Sequence, residues 1–245
     1  MALTLLLIAG GIFAFINSFT GNPISAALAD RKIRQYAAGT YPSMDLSLSP
    51  AVYSIKANGY ISHAQSATSQ DTQFTLQYSR GRVTDDYAYE VTNHFTTYRR
   101  LSEDFDRRVT ALIEKEYPHR TTMVLGDLQG DTQPLTPDAP LDLDNMPMDL
   151  HLVVYVLSEK RDAAQMAARL LELHRLLLSQ GIAIDTYTLR LEEPLPQESK
   201  PGSGDNLYLE DFPSTAITED LNALQEAILA HQQAIADKDN PKDRP

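Results

Sequence analysis

The chain contains no cysteine and no tryptophan. Without thiols it has no disulfide framework, no thiolate nucleophile and no cysteine-ligated zinc site. Positive charge is also scarce, with 21 lysines and arginines against 33 aspartates and glutamates and a formal net charge of −12. Phosphate backbones are held by clustered lysine and arginine that release counterions, so nucleic acid is excluded as a partner class. Broad adsorption to an anionic membrane surface is disfavoured for the same reason. The phosphate-binding patterns G-x-G-x-x-G and G-x-x-x-x-G-K-[ST] are missing, and Gly202-Ser203-Gly204 lacks the strand-to-helix setting of a nucleophile elbow.

Histidines number six, and none forms an H-E-x-x-H helix or an i, i+4 pair that would present one metal face. His151 sits in an apolar strand pattern and reads as a hydrogen-bonded core or interface residue. His174 and His231 fall near the wet sides of helices, and His63, His94 and His119 at element edges, so these read as surface residues. Asp138, Asp142, Asp144 and Asp149 share one loop. A calcium loop starting at Asp142 would need an oxygen ligand at Met146, glycine at Pro147 and glutamate at Val153, so that pattern fails. The sequence therefore assigns no catalytic, cofactor-binding or metal-ligating residue, and no cofactor.

What the chain does have is one long apolar run at its start. From Ala2 to Ile16 every residue except Thr4 is apolar or glycine, and the first charged side chain is Asp30. A helix rises ~1.5 Å per residue, so roughly 20 residues cross a ~30 Å hydrocarbon core. Met1 to Thr20 meets that length, and Gly21-Asn22-Pro23 ends the helix. Two other readings stay open. One is a secretory signal with Ala27-Leu28-Ala29 as its small-x-small cleavage site, and the other is a buried helix, which would usually show a polar face. Gly10 and Ala14 have the small-xxx-small spacing of packed membrane helices. Arg31, Lys32 and Arg34, taken alone, would hold the following body in the cytoplasm.

The remainder predicts an α+β fold in two modules. Residues 1–21 form the transmembrane anchor or uncleaved signal, 22–95 an N-terminal module, 96–237 a C-terminal α+β sandwich module, and 238–245 a disordered tail. The first module reads as a helix over Ile24–Thr40, with Ile24, Leu28, Ile33 and Tyr36 on its apolar face, closed by Tyr41-Pro42. An antiparallel meander of about four strands follows, with a type I′ turn at Asn58-Gly59 and a last strand through Val83, Tyr87, Tyr89 and Val91. The second module reads as a helix from Thr96 to Tyr117-Pro118, a strand Thr121–Leu128, a proline-rich loop and a hydrophobic central strand Leu150–Leu157. After these come a helix Asp162–Gln180, a strand Ile184–Leu191, an exposed loop Glu193–Asn206, a short strand Leu207–Leu209 and a final helix capped by Thr218.

Asn17-Ser18-Phe19, Gly21-Asn22-Pro23-Ile24-Ser25, a helix ending Thr40-Tyr41-Pro42 and Ser69-Gln70-Asp71-Thr72 before Phe74 resemble the YfjL-like proteins of Gram-positive bacteria. The resemblance implies a single-pass cell-membrane protein, N-terminus inside and body outside, with a helix-plus-strands module followed by a second α+β module. The family carries no established molecular function, so no site residue is transferred. The expectation is thus a membrane-anchored extracytoplasmic protein, more a binding or interaction module than an enzyme. Membrane lipid would contact its N-terminal helix, and a protein or peptide would be its partner. The alternatives are a metal-dependent or hydrolytic enzyme with an unrecognised site, and an accessory subunit of a membrane complex.

Overall fold

The computed structural model describes residues 22–194 and 206–239. The expected anchor, most of the Glu193–Asn206 loop and the end of the tail lie outside the described residues. Among the described residues no helix is long and apolar enough to cross a membrane. The fold is α+β, with two separate sheets. The chain divides into two compact units, the first reaching Tyr98 and also taking in Leu135–Ala139, the second holding the rest.

The first unit opens with helix α1, Pro23–Thr40. Asn22 caps it, its side chain accepting the Ile24 N–H at 2.9 Å, and Pro23 occupies the first position, where a missing N–H costs nothing. The buried stripe is Ala29, Ile33 and Ala37, at i, i+4 and i+8. This corrects the apolar face expected from the sequence. Ile24 lies nine residues before Ile33, about half a turn out of phase at ~100° per residue. It is accordingly 80% exposed, and Leu28 is 49% exposed.

A five-stranded sheet packs on that stripe: β1 Leu46–Leu48, β2 Val52–Ser54, β3 Gly59–Ser66, β4 Gln73–Ser79 and β5 Arg82–Asp85. All pairings are antiparallel, with β1 and β2 sharing one side of β3 and β5 at the other edge. Tyr60, Ala64, Phe74 and Leu76 meet Ala29, Ile33 and Ala37 in the core. The turn at Asn58-Gly59 has a different geometry from the expected one. Asn58 alone takes a left-handed conformation (φ 46°), and Gly59 already belongs to β3. There a Cβ would stand 2.5 Å from the Tyr78 carbonyl oxygen, so glycine is required for close approach. The expected last strand is also shorter: after Asp85 the chain enters a π-helical turn, Ala88–Thr92, that carries Tyr89 and Val91.

Tyr41, Phe74 and Tyr87 form a ring triangle with centroids 4.9–5.1 Å apart. Beside it the Asp85 carboxylate accepts the Tyr36 hydroxyl at 2.7 Å and the Tyr87 N–H at 3.1 Å. Burial, then Asp85, push the Tyr41 phenol up, so it stays protonated.

Helix α2, Phe95–Glu116, begins in the first unit and continues in the second, where Leu101, Phe105, Val109 and Ile113 are buried. The second unit then forms a four-stranded sheet from β6 Thr121–Gln129, β7 Asp149–Leu157, β8 Thr186–Glu192 and β9 Leu207–Pro213, in that order. β7 is central, as its continuous apolar pattern requires. It pairs antiparallel with β6 and parallel with β8, the parallel crossover being helix α3, Ala163–Ser179. Asp162 caps α3 through the Gln165 N–H at 2.8 Å, and Gly181 (φ 71°) supplies the left-handed exit. Helix α4, Leu221–Asp239, is the last described element and takes in the first two residues of the expected disordered tail. Its cap is Asp220, which accepts the Asn222 and Ala223 N–H groups, rather than Thr218. The strand expected at Leu207–Leu209 extends to Pro213.

Candidate binding face of the second sheet

Among the described residues, the three helices of the second unit lie against one side of its sheet. Gly126 faces Phe105 and Val109 of α2, Tyr187 meets His174 of α3 at 2.9 Å, and the Phe212 ring meets that of His231 on α4 at 5.2 Å. Leu152, Val154, Val156, Leu189 and Leu191 share that side and are fully buried. Strand alternation therefore sends His151, Val153 and Tyr155 of β7, and Thr186, Thr188, Arg190 and Glu192 of β8, to a face with no helix on it among the described residues.

Helical side chains also close both edges of this sheet. At β6, Asp106 accepts the Gly126 N–H at 2.9 Å and Ser102 accepts the Leu128 N–H at 3.1 Å. At β9, His231 donates to the Glu210 carbonyl at 2.7 Å and Gln232 to that of Tyr208 at 2.5 Å. Exposed strand edges template pairing with other chains, and these are blocked. The helix-free face is what this sheet leaves open.

His151 stands at one end of that face, 8% exposed. Gln129 Nε2 lies 2.8 Å from its Nδ1, and its Nε2 lies 3.1 Å from Thr188 Oγ1 and 3.4 Å from Asp211 Oδ1. This network assigns the proton to Nε2, with Nδ1 accepting from the Gln129 amide. Both ring nitrogens are thus occupied, which suits an anchored structural imidazole better than a general base. Thr188 in turn accepts the Asp211 N–H at 3.1 Å, and Asp211 adopts a left-handed φ of 45° at that point.

Arg190 occupies the other end. Its Cζ lies 4.9 Å from the Tyr155 ring centroid and 4.7 Å from that of Tyr208, so the guanidinium is sandwiched between two aromatic faces. Glu192 Oε1 forms an ion pair with Arg190 Nε at 3.1 Å, off the line of a hydrogen bond, and Nε is itself buried. Thr186 Oγ1, on the same face of β8, is also buried and unpartnered. Met123 and Leu125 of β6 add apolar surface 38% and 40% exposed. No signal short of the β7–β8–β9 register would have grouped Arg190, Tyr155 and Tyr208, because parallel pairing across a crossover leaves no local trace.

The remaining histidines and acidic residues are placed as follows. His119 pairs with Glu172 at 2.5 Å beside Arg169, and His63 stands 3.4 Å from Thr75 Oγ1. His174 is a correction: expected on a wet surface, it is half-buried against Tyr187, and burial lowers its pKa. The four loop aspartates do not converge. Asp138 binds Asp71 in the first unit, while Asp142 accepts the Asp144 N–H at 3.1 Å and Asn145 Nδ2 at 2.9 Å, the latter holding its carboxyl below the usual range. Among the described residues no three histidine or acidic side chains are grouped to hold a metal ion.

The described chain thus forms two α+β units, the second a mixed sheet whose described helices lie on one side. Residues 1–87 match the YfjL-like N-terminal domain and residues 104–226 the YfjL-like C-terminal domain. The chain belongs to the YfjL-like family. No curated protein and no solved structure matches it.

Proposed function

We propose that this protein is a membrane-tethered, extracytoplasmic binding module that holds a protein or peptide partner on the helix-free face of its second sheet. The carrying observation is the cluster on that face of Arg190, stacked between Tyr155 and Tyr208, with the exposed side chains of Met123 and Leu125 beside it. Tyrosine and arginine are the residues enriched where interfaces are strongest. With both edges closed, binding runs over the face and not by strand addition.

The tether is supported by the apolar run before Asn22 and by the start of the fold itself. Cleavage after Ala29 would remove the Asn22 cap and two turns of α1, and Ala29 is fully buried in the core. A retained N-terminal segment is consistent with that packing.

A photo-crosslinking side chain placed at Met123 or Tyr208 of the membrane-bound protein, compared with one at Leu178 on α3, tests the face. We expect one discrete heavier adduct from positions 123 and 208, lost in Arg190→Ala, and none from 178. Equal adducts from all three positions, or none from 123 and 208, would reject it.

A further inference from the structure

Up to Tyr98 the chain carries six basic and six acidic residues, so the whole net charge of −12 lies beyond it. Apart from Asp30, Arg31, Lys32 and Arg34 on α1 and Glu90, the charges of the first unit are sorted along its sheet. Ser54 pairs with Gly59 and Ser79 with Arg82 at one end of the sheet, which places Lys56, Arg80 and Arg82 there together. A concavity of about 530 Å³ lies between these hairpins, lined in part by Asn58, Ser79, Arg80 and Arg82. The other end, where Leu46 meets Ser66, carries Asp45 and Asp71, while Asp85 and Asp86 follow at the end of β5, part-way along the sheet.

The basic end is also the apolar end, and the end at which the N-terminal run joins. The Asn22 N–H donates to the Tyr60 hydroxyl at 3.1 Å, which donates back to the Asn22 carbonyl at 3.3 Å, and Tyr60 packs on Tyr53 just before the 55–58 loop. Ile24 and Leu28 on the outer side of α1 and Ile55 in that loop are 80%, 49% and 61% exposed. Singly exposed apolar residues need no explanation, but these gather where an apolar run of membrane-spanning length enters, beside three arginines and lysines.

We propose that this end of the first unit, through Ile24, Leu28 and Ile55 with Lys56, Arg80 and Arg82, seats on the headgroup layer of an anionic phospholipid bilayer. Basic side chains within a Debye length of anionic headgroups are attracted, and short apolar contacts insert at the boundary. The acidic end and the strongly acidic remainder of the chain are repelled by the same surface. The contact therefore orients the first unit as well as holding it. This inference rests on the membrane tether proposed above.

The cysteine-free chain permits a direct test. Single cysteines at positions 14, 24, 28, 55 and 67 of the full-length protein are labelled with an environment-sensitive fluorophore. Each is reconstituted into phosphatidylglycerol–phosphatidylcholine vesicles with shallow brominated acyl chains. Position 14 reports the tether, and Ala67, in the loop after β3, the opposite end of the sheet. We expect strong quenching at 14, at least threefold more at 24, 28 and 55 than at 67, and loss of that difference in K56Q/R80Q/R82Q or without the anionic lipid. Quenching at 14 with 24, 28 and 55 no different from 67 would overturn this inference alone, and absence of quenching at 14 would overturn the tether and the inference with it. Labels at 24, 28 and 55 shielded from water yet unquenched by brominated lipid would mean a protein contact or a second copy, and would also overturn it.

Discussion

Asp71 and Asp138, 67 residues apart, each accept the other's backbone N–H: Asp71 Oδ2 from Asp138 at 2.7 Å and Asp138 Oδ1 from Asp71 at 3.0 Å. Asp138 follows Pro137 in a turn closed by the Ala139 N–H on the Thr136 carbonyl at 3.2 Å, and takes the left-handed φ of 63° that such a turn demands at its third residue. The exchange ties Leu135–Ala139 into the first unit, although the chain on either side of it belongs to the second.

The pairing predicts distinct outcomes for two substitutions. Asp138→Asn keeps an acceptor and tolerates the left-handed conformation, so it should cost little. Asp71→Ala removes a buried carboxylate and leaves the Asp138 N–H unmade, at a cost of about 1–3 kcal/mol. Urea unfolding measures both, and limited proteolysis should find the Pro134–Pro140 segment cut faster in Asp71→Ala alone. Equal midpoints for the two variants would contradict the pairing.

Gly126 lies where a Cβ would meet Val109 Cγ2 at 2.8 Å and the Phe105 ring at 3.0 Å. Gly126→Ala therefore overpacks the contact between β6 and α2, and a loss of about 1–3 kcal/mol is expected in thermal or urea unfolding. Combination with Val109→Ala should recover part of the loss.

Ser102→Ala with Asp106→Ala strips the cover from the β6 edge. Two buried N–H groups, of Gly126 and Leu128, lose their acceptors, each at about 1–3 kcal/mol. Sedimentation should also show concentration-dependent self-association that the parent lacks, because an open edge recruits strands. A destabilised variant that stays monomeric would limit the role of these side chains to satisfying hydrogen bonds.

Burial holds His174 below the ordinary histidine value, with Glu219 acting in the opposite direction. The unfolded chain then takes up a proton that the folded chain resists. Stability from this group is complete above about pH 6.5 and falls as the pH drops below it, by at most about tenfold in the unfolding equilibrium per pH unit. Urea midpoints between pH 7.5 and 5 should fall less steeply in His174→Asn than in the parent. Parallel slopes would remove His174 as a source of the acid sensitivity.

Elements whose side chains repeat locally were legible in the sequence. β7 reads as a central strand because all its residues from Leu150 to Leu157 but His151 are apolar, and α3 carries both its Asp162 cap and its Gly181 exit in plain view. The face of α1 was misread because alanine, the residue that packs at positions 29 and 37, carries little hydropathy, while Ile24 and Leu28 carry much and point outward. The Asp71–Asp138 exchange and the grouping of His151, Thr188 and Asp211 were illegible, since each depends on sheet register or on a return of the chain that leaves no local pattern.

The tether with its body outside the membrane is the central claim, and one labelling measurement tests it directly. Tyr208→Cys supplies a single thiol on the helix-free face of the second sheet of an otherwise cysteine-free chain, at a residue 43% exposed. Intact cells are treated with a membrane-impermeant maleimide, and the protein is then recovered from the membrane fraction. Labelling in intact cells equal to that after lysis is the predicted result. Labelling only after lysis, or recovery of the protein in the soluble fraction, would contradict the account.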